Sequence, residues 1–261
     1  ESFPAAVGSD FEHYYRLSVR TDEPVSFDAY YPAPLDAWYE VRAWPSPDGL
    51  AVYFVDVTAR HQAQEQVART ARRDALVADV TEQLAGTLDL EEAVARLGAL
   101  VVPAIGDWCV ATLVEEPGYD GRLPGLRDVG GWHRDRDAQH LVDRFAAVRL
   151  DQVVDDSFMP LVLGAERPVV GDGATESMCG IFAAGEVHEL VRALAPEHVA
   201  VLSLKGHDRV VGLLTVLRDD ERGGFTEDDL DTLALVAERA GLALDNARLF
   251  AEQRDLAEGL Q

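Results

Sequence analysis

Between Trp38 and Trp44 the chain alternates. Trp38, Glu40, Arg42 and Trp44 fall on one side, and Tyr39, Val41 and Ala43 on the other, which is the two-residue period of a strand. Pro45-Ser46-Pro47-Asp48-Gly49 has turn composition, and Leu50 to Val57 returns as a second strand. Upstream, Val25 to Tyr31 is strand-like. Residues 10–20 predict a helix with Phe11, Tyr14, Tyr15 and Ser18 on one side. It stops at Thr21-Asp22-Glu23-Pro24, because the position before proline disfavours helical backbone. One helix and three antiparallel strands are too little for a closed domain.

Thr58 is the expected N-cap of the next helix. From Ala59 to about Asp74 this helix is polar, with Ala63, Val67 and Ala71 recurring every fourth residue. So thin a stripe cannot hold a helix in a monomer's core. It is either a solvated linker or, the preferred reading, a parallel signalling coil between two subunits.

A second domain is expected over 75–250. It opens with a helix from Ala75 to Gly86. Asp89 then caps another, with Glu92 at N3 and Leu88 and Ala93 placed for a hydrophobic staple. Trp108 to Val114 and Gly125 to Trp132 read as strands, Gln139 to Val148 as a helix, Arg167 to Val170 as a short strand and Val187 to Leu194 as a helix. A hairpin, Val199 to Leu204 and Arg209 to Leu217, turns at Lys205-Gly206-His207-Asp208. Its Val- and Leu-rich strands belong in the middle of a sheet. The class is α+β, an antiparallel sheet flanked by helices.

The last helix has the clearest start. Thr226 is the N-cap, Asp229 at N3 completes a capping box, and Phe225 and Leu230 are placed as a staple. No proline interrupts it before Gly259. Leu230, Leu233, Ala237, Ala240, Leu244 and Ala247 form a small-residue face suited to lie on the sheet. Leu235, Leu242, Leu249 and Leu256 repeat every seventh residue nearly opposite. Glu238, Asp245 and Glu252 border that stripe on one flank, and Arg239, Asn246 and Gln253 on the other. A helix apolar on both sides buries both, so the second stripe predicts a parallel homodimer.

Composition sharpens the domain division. Twelve of the twenty Phe, Trp and Tyr residues lie in the first 54 positions. Net charge is −24, which argues against nucleic acid or an anionic membrane surface as partner, since phosphates are bound by neutralising Lys and Arg. Cys109 and Cys179 have no paired spacing, so neither a disulfide framework nor a zinc site is indicated. The most apolar window, Leu97 to Val114, contains Pro103, Gly106 and Asp107 and is not a membrane span. With no signal peptide read at its start, the chain is expected to be soluble and cytoplasmic.

These residues carry two resemblances. Residues 1–58, with Trp38-Tyr39-Glu40-Val41-Arg42, the Pro-Asp-Gly turn and the exit Asp56-Val57-Thr58, resemble the C-terminal half of a PAS domain. The family's earlier strands and helices are missing, so the first domain reads as a part. Residues 75–250 resemble a GAF domain, most strongly at Val211-Gly212-Leu213-Leu214-Thr215, Phe225 to Leu230, and Ala243 to Phe250. The exit, residues 251–261, is similar to the linker before the catalytic domain of actinobacterial SpoIIE-type serine/threonine phosphatases. What the resemblance implies is a regulatory region: 1–58 PAS-like, 59–74 a connector with Asp56 and Thr58 at the signal exit, 75–250 GAF, 251–261 the start of a linker to an output domain. Manganese or magnesium would belong to that output. The sensor region of a histidine kinase and a purely structural dimerisation module are the alternatives.

No catalytic constellation is found within the chain. Gly171-Asp172-Gly173 lacks the rest of a dinucleotide fingerprint, and no P-loop, H-E-x-x-H or G-x-S-x-G occurs. Cys179 is followed by Gly180 and not by the His usual in bilin-attaching GAF domains. Leu230 stands where cyclic-nucleotide-binding members carry Glu. An unidentified small apolar or amphipathic ligand is the expectation, with Trp132, Cys179, Phe182 and His188 as candidate pocket residues and no cofactor assigned. His188 is the one candidate haem ligand.

Overall fold

The computed structural model describes residues 6–85, 87, 89–116 and 125–259. The chain divides into two compact units, Glu1–Arg72 and Arg73–Gln261.

In the first unit, helix α1 (Asp10–Thr21) is capped by Ser9, whose side chain accepts from the Phe11 N–H. It ends at Asp22 in the left-handed region. Strands β1 (Val25–Tyr31), β2 (Ala37–Ser46) and β3 (Gly49–Asp56) form an antiparallel sheet in that order. β2 and β3 pair across the two-residue turn Pro47-Asp48, from Ser46 to Gly49. Gly49, at φ 139°, leaves the turn in backbone that L residues avoid. The alternation read in β2 holds: Val41 and Ala43 are fully buried and Arg42 and Trp44 exposed. Phe11, Phe27, Ala29, Tyr31 and Val41 make the small core.

Helix α2 (Thr58–Ala85) is continuous, where the sequence suggested a connector and then a separate helix from Ala75. Nothing in the polar stretch breaks it, and Val67 is exposed. Thr58 is not its N-cap. The Val57 carbonyl already accepts a helical bond from the His61 N–H, while the Thr58 hydroxyl accepts from the Trp38 N–H at 2.9 Å. As an acceptor the hydroxyl serves the strand and leaves the helix N–H groups to others. Asp56 takes the capping task instead. Hydrogen bonds from the hydroxyl and N–H of Thr58 hold its carboxyl below the usual carboxylate range.

The second unit continues with α3 (Leu90–Ala104), β4 (Trp108–Glu116), β5 (Gly125–His133), α4 (Gln139–Val148), a 3₁₀ turn at Leu150–Gln152, α5 (Met159–Gly164), β6 (Val169–Asp172), α6 (Ala174–Ile181), α7 (Glu186–Leu194), β7 (His198–Lys205), β8 (Val210–Arg218) and α8 (Glu227–Gly259). The five strands form one antiparallel sheet, ordered β5-β4-β8-β7-β6. Asp89 caps α3 through the Glu92 N–H as expected. Leu88 and Gly86 lie outside the described residues. The strand read at Arg167 to Val170 starts two residues later, and α5 and α6 were not anticipated.

Strand alternation sorts the sheet into two faces. Cys109, Ala111, Ala200, Leu202, Leu214 and Val216 pack with Leu76, Val80 and Leu84 of α2 and with the buried faces of α3 and α8. Trp108, Val110 and Leu217 pack on the other side with Phe145 of α4, Met178 of α6 and Val187, Leu190 and Val191 of α7. On α8 the small-residue face is buried as predicted. Gly241 lies against Lys205 so closely that a Cβ would stand 2.3 Å from its carbonyl oxygen. The capping box of α8 is reciprocal: Thr226 Oγ1 accepts from the Asp229 N–H at 3.2 Å, and Asp229 Oδ2 from the Thr226 N–H at 2.9 Å. Buried Arg218 holds this end, donating to Ile105 and Gly224 carbonyls and pairing with Asp229.

Candidate functional site

A mainly apolar cavity of the second unit lies on the α4–α7 side of the sheet, with a volume of ≈ 470 Å³, within the usual range for small-molecule sites. Its floor is the sheet, through Thr112, Leu126, Val199, Val201, Leu213 and Thr215. Its roof is the segment from Arg149 to Phe182, which supplies Phe158, Met159, Val162, Met178 and Ile181. Met159 and Met178 are the only methionines in the chain. A thioether side chain adapts to the shape beside it, so this roof tolerates varied apolar shapes.

One corner of the cavity is polar. Arg149 follows the last turn of α4 and reaches Asp128 on β5. Its Nε donates to Asp128 Oδ2 at 2.6 Å, and its Nη2 to Asp128 Oδ1 and to the Thr112 hydroxyl, both at 2.7 Å. Thr112 in turn donates to Asp128 Oδ1 at 2.6 Å. The pair is nearly dry, with side chains 13% and 3% exposed, and the Arg149 guanidinium lies 5.6 Å from the Phe145 ring centroid. A bidentate pair of this kind fixes both partners and meets the demand for compensation of buried charge. At the rim stand Asp151 and Asp156, both exposed.

Of the four residues proposed from sequence, Phe182 lines the cavity. Cys179 packs beside the same core without lining it. His188, on α7, spends Nε2 on the Phe182 carbonyl at 2.9 Å, so it steadies the end of the roof. Trp132 is on the opposite side of the sheet, against α3, where a Cβ on Gly98 would be 2.0 Å from its ring. Thr112, Asp128, Arg149 and Thr215 were not singled out. Cys109 is buried, and burial pushes its thiol up to about 12. Among the described residues no group of three His, Cys, Asp or Glu side chains is placed to hold a metal ion. No helix among them is long and apolar enough to cross a membrane.

On α8, Leu235 and Leu249 are 36% and 40% exposed, and Leu242 is half-buried. The side chain of Leu256 lies outside the described residues. Asp245, read as a flank residue, is buried. It accepts from the His207 N–H at 2.9 Å, meets His207 Nδ1 at 2.9 Å and receives Arg248 at 3.0 Å. This fastens the β7–β8 turn to α8.

A family model for the GAF domain matches residues 72–244. Three solved structures are similar to the chain at low identity. The GAF domain of a phosphoenolpyruvate-protein phosphotransferase from Acinetobacter is 14% identical, with TM-score 0.47, over 67% of this chain and 93% of that one. A GAF domain/HD domain protein from Geobacter sulfurreducens is 13% identical, with TM-score 0.45, over 64% and 98%. The phycoerythrobilin-bound GAF domain from a cyanobacterial phytochrome is 16% identical, with TM-score 0.48, over 68% and 96%. No curated protein matches the chain.

Proposed function

The chain belongs to the GAF domain family, whose members are sensory modules of signal transduction and not catalysts, and from that premise we propose that it is a cytoplasmic relay that reads a small molecule in the cavity between its sheet and the 149–182 segment. The observation that carries this reading is the cavity itself, a preformed apolar space of ≈ 470 Å³ with one anchored polar corner. Its floor strands support α8 on their other side, so the space is one strand thick from the helix that leaves the domain. Residues 1–58 resemble the end of a PAS domain, and residues 251–261 resemble a linker to a SpoIIE-type protein phosphatase. Both support a place between an upstream sensor and a metal-dependent phosphatase output. The same proposal includes a parallel homodimer through the Leu235, Leu242 and Leu249 stripe of α8, which is partly exposed.

The test is thermal melting of the full chain against a panel of small metabolites, run in parallel on Val201→Phe, which places a larger side chain on the cavity floor. A ligand at a hundred times its Kd stabilises the folded state by about 2.7 kcal/mol. The expected result is a compound that raises the Tm of the parent and not of the variant. No shift with any compound, or a shift the variant shares, would refute the sensing role.

A further inference from the structure

The polar corner specifies the head group of the molecule that enters. Thr112 on β4 is in register with Leu213 on β8, so Thr215 is its diagonal neighbour on the same face, within roughly 8 Å. Arg149 has committed Nε and Nη2 to Asp128 and Thr112. Its Nη1 has no hydrogen-bond partner among the described residues, and neither has the Thr215 hydroxyl. Both side chains line the cavity. A guanidinium only donates, and a hydroxyl with no other task donates as well. Two free donors side by side in this corner of a mainly apolar cavity call for an acceptor oxygen.

The charges around the corner decide which kind. The carboxylate of Asp128 already balances Arg149, so no countercharge is missing. Asp151 and Asp156 stand at the rim of a chain whose net charge is −24, which disfavours an anion. A cation would meet N–H donors in the corner and leave them unpaired, a desolvation cost that rejects the wrong head group. Building on the sensing role above, we infer that the cavity takes an uncharged, mainly apolar molecule whose carbonyl-type oxygen accepts from Arg149 Nη1 and Thr215 Oγ1. At a water-like share of roughly 30 Å³ for each non-hydrogen atom, ≈ 470 Å³ holds about fifteen of them. The two methionines of the roof leave the shape of the apolar part loosely specified.

The experiment uses three probes with one ten-carbon chain, decanamide, decanoate and decylammonium, titrated calorimetrically into the full chain. Decanamide is expected to bind at least tenfold more tightly than either charged analogue. Thr215→Val should weaken decanamide roughly tenfold, the worth of one hydrogen bond, and leave the charged probes unchanged. Thr215→Ser, which keeps the hydroxyl, should bind as the parent does, and Thr215→Ala replaces the valine variant should that fail to fold by circular dichroism. Tightest binding of decanoate or decylammonium, or indifference of decanamide to loss of the hydroxyl, overturns the head-group assignment. Where such binding is still abolished by Val201→Phe, the sensing role survives that result. Binding of no probe, or binding that ignores Val201→Phe, removes the inference and the sensing role together.

Discussion

Replacing Asp128 by alanine should cost the second unit about 3–5 kcal/mol, because it strands a buried guanidinium. The two side chains are 3% and 13% exposed and joined at 2.6 and 2.7 Å. With Asp128 gone, Arg149 keeps the Thr112 hydroxyl and the Phe145 ring as neighbours, and neither carries a countercharge. The double variant Asp128→Leu with Arg149→Met removes both charges and fills the space. Buried pairs exchanged for apolar groups are often near neutral, and Thr112 would lose partners worth about 1 kcal/mol. A double-mutant cycle should therefore show coupling of about 2–3 kcal/mol, against a total stability of about 5–15 kcal/mol for an ordinary domain. Urea unfolding is the assay, in a background carrying Trp38→Phe and Trp44→Phe so that emission comes from Trp108 and Trp132 alone. Trp108 is 1% exposed and meets Phe145 edge-on at 5.6 Å, so it reports on the layer under Arg149. A single variant within about 1 kcal/mol of the parent, or additive effects in the cycle, would refute the claim that this corner is a dry, preorganised pair.

Asp245→Asn should flatten the acid limb of stability. Burial alone would raise the Asp245 carboxyl, but hydrogen bonds from the His207 N–H and ring and from Arg248 outweigh it and hold it at about 2. Against about 3.9 in the unfolded chain, that depression contributes about 2–3 kcal/mol above roughly pH 4, lost as pH falls toward the folded value. Parallel acid slopes in urea unfolding of parent and variant would count against it. Thr226→Ala should lower stability by about 1 kcal/mol, the usual worth of an N-cap, with the same mass by light scattering; no measurable loss would mean that Asp229 and Arg218 hold the start of α8 without it. Leu242→Asp with Leu249→Asp should give a folded monomer by light scattering with unchanged far-UV circular dichroism. A dimer that persists would place the interface elsewhere, and unfolding would assign the stripe to the core.

Legibility in the sequence followed the reach of each signal. β1 and α4 have the bounds read from their residues, and the caps at Asp89 and Thr226 form as expected, because periodicity and capping act over a few positions. α5 and α6, six and eight residues long, present too few turns for a period, and neither has a side-chain cap; α6 starts from Gly173 at φ 62°. Trp132 was misplaced for a definable reason. Asp128 pairs with Thr112 but Gly130 with Ala111, so β5 carries an extra residue there. A bulge of this kind reverses which face later residues take. Asp128 therefore faces the cavity, and Trp132, opposite Cys109, faces α3. The polar corner itself joins Thr112, Asp128 and Arg149 across 16 and 21 positions of sequence, and no local pattern marks such a meeting.

The cavity and α8 occupy the two sides of one β-ladder. Val199, Val201 and Thr215 face the cavity, while Ala200, Leu202, Leu214 and Val216, one residue along the same strands, meet the helix layer. Gly241 and the His207–Asp245 contact bind the turn of that ladder to α8, so a changed twist of β7 and β8 has a short path to the helix. A ligand moves such an equilibrium only by its difference in affinity for the two arrangements. Turning a 1:99 balance into 99:1 takes about 5.5 kcal/mol, and a hydrogen bond in the corner supplies about 1 kcal/mol of it. The remaining ~4.5 kcal/mol corresponds to roughly 180 Å² of apolar surface buried in one arrangement and not the other, at about 25 cal/mol per Å². On the proposed sensing role, the corner would select the molecule, and the switching energy would have to come from apolar surface buried against the roof at Phe158, Met159, Met178 and Ile181.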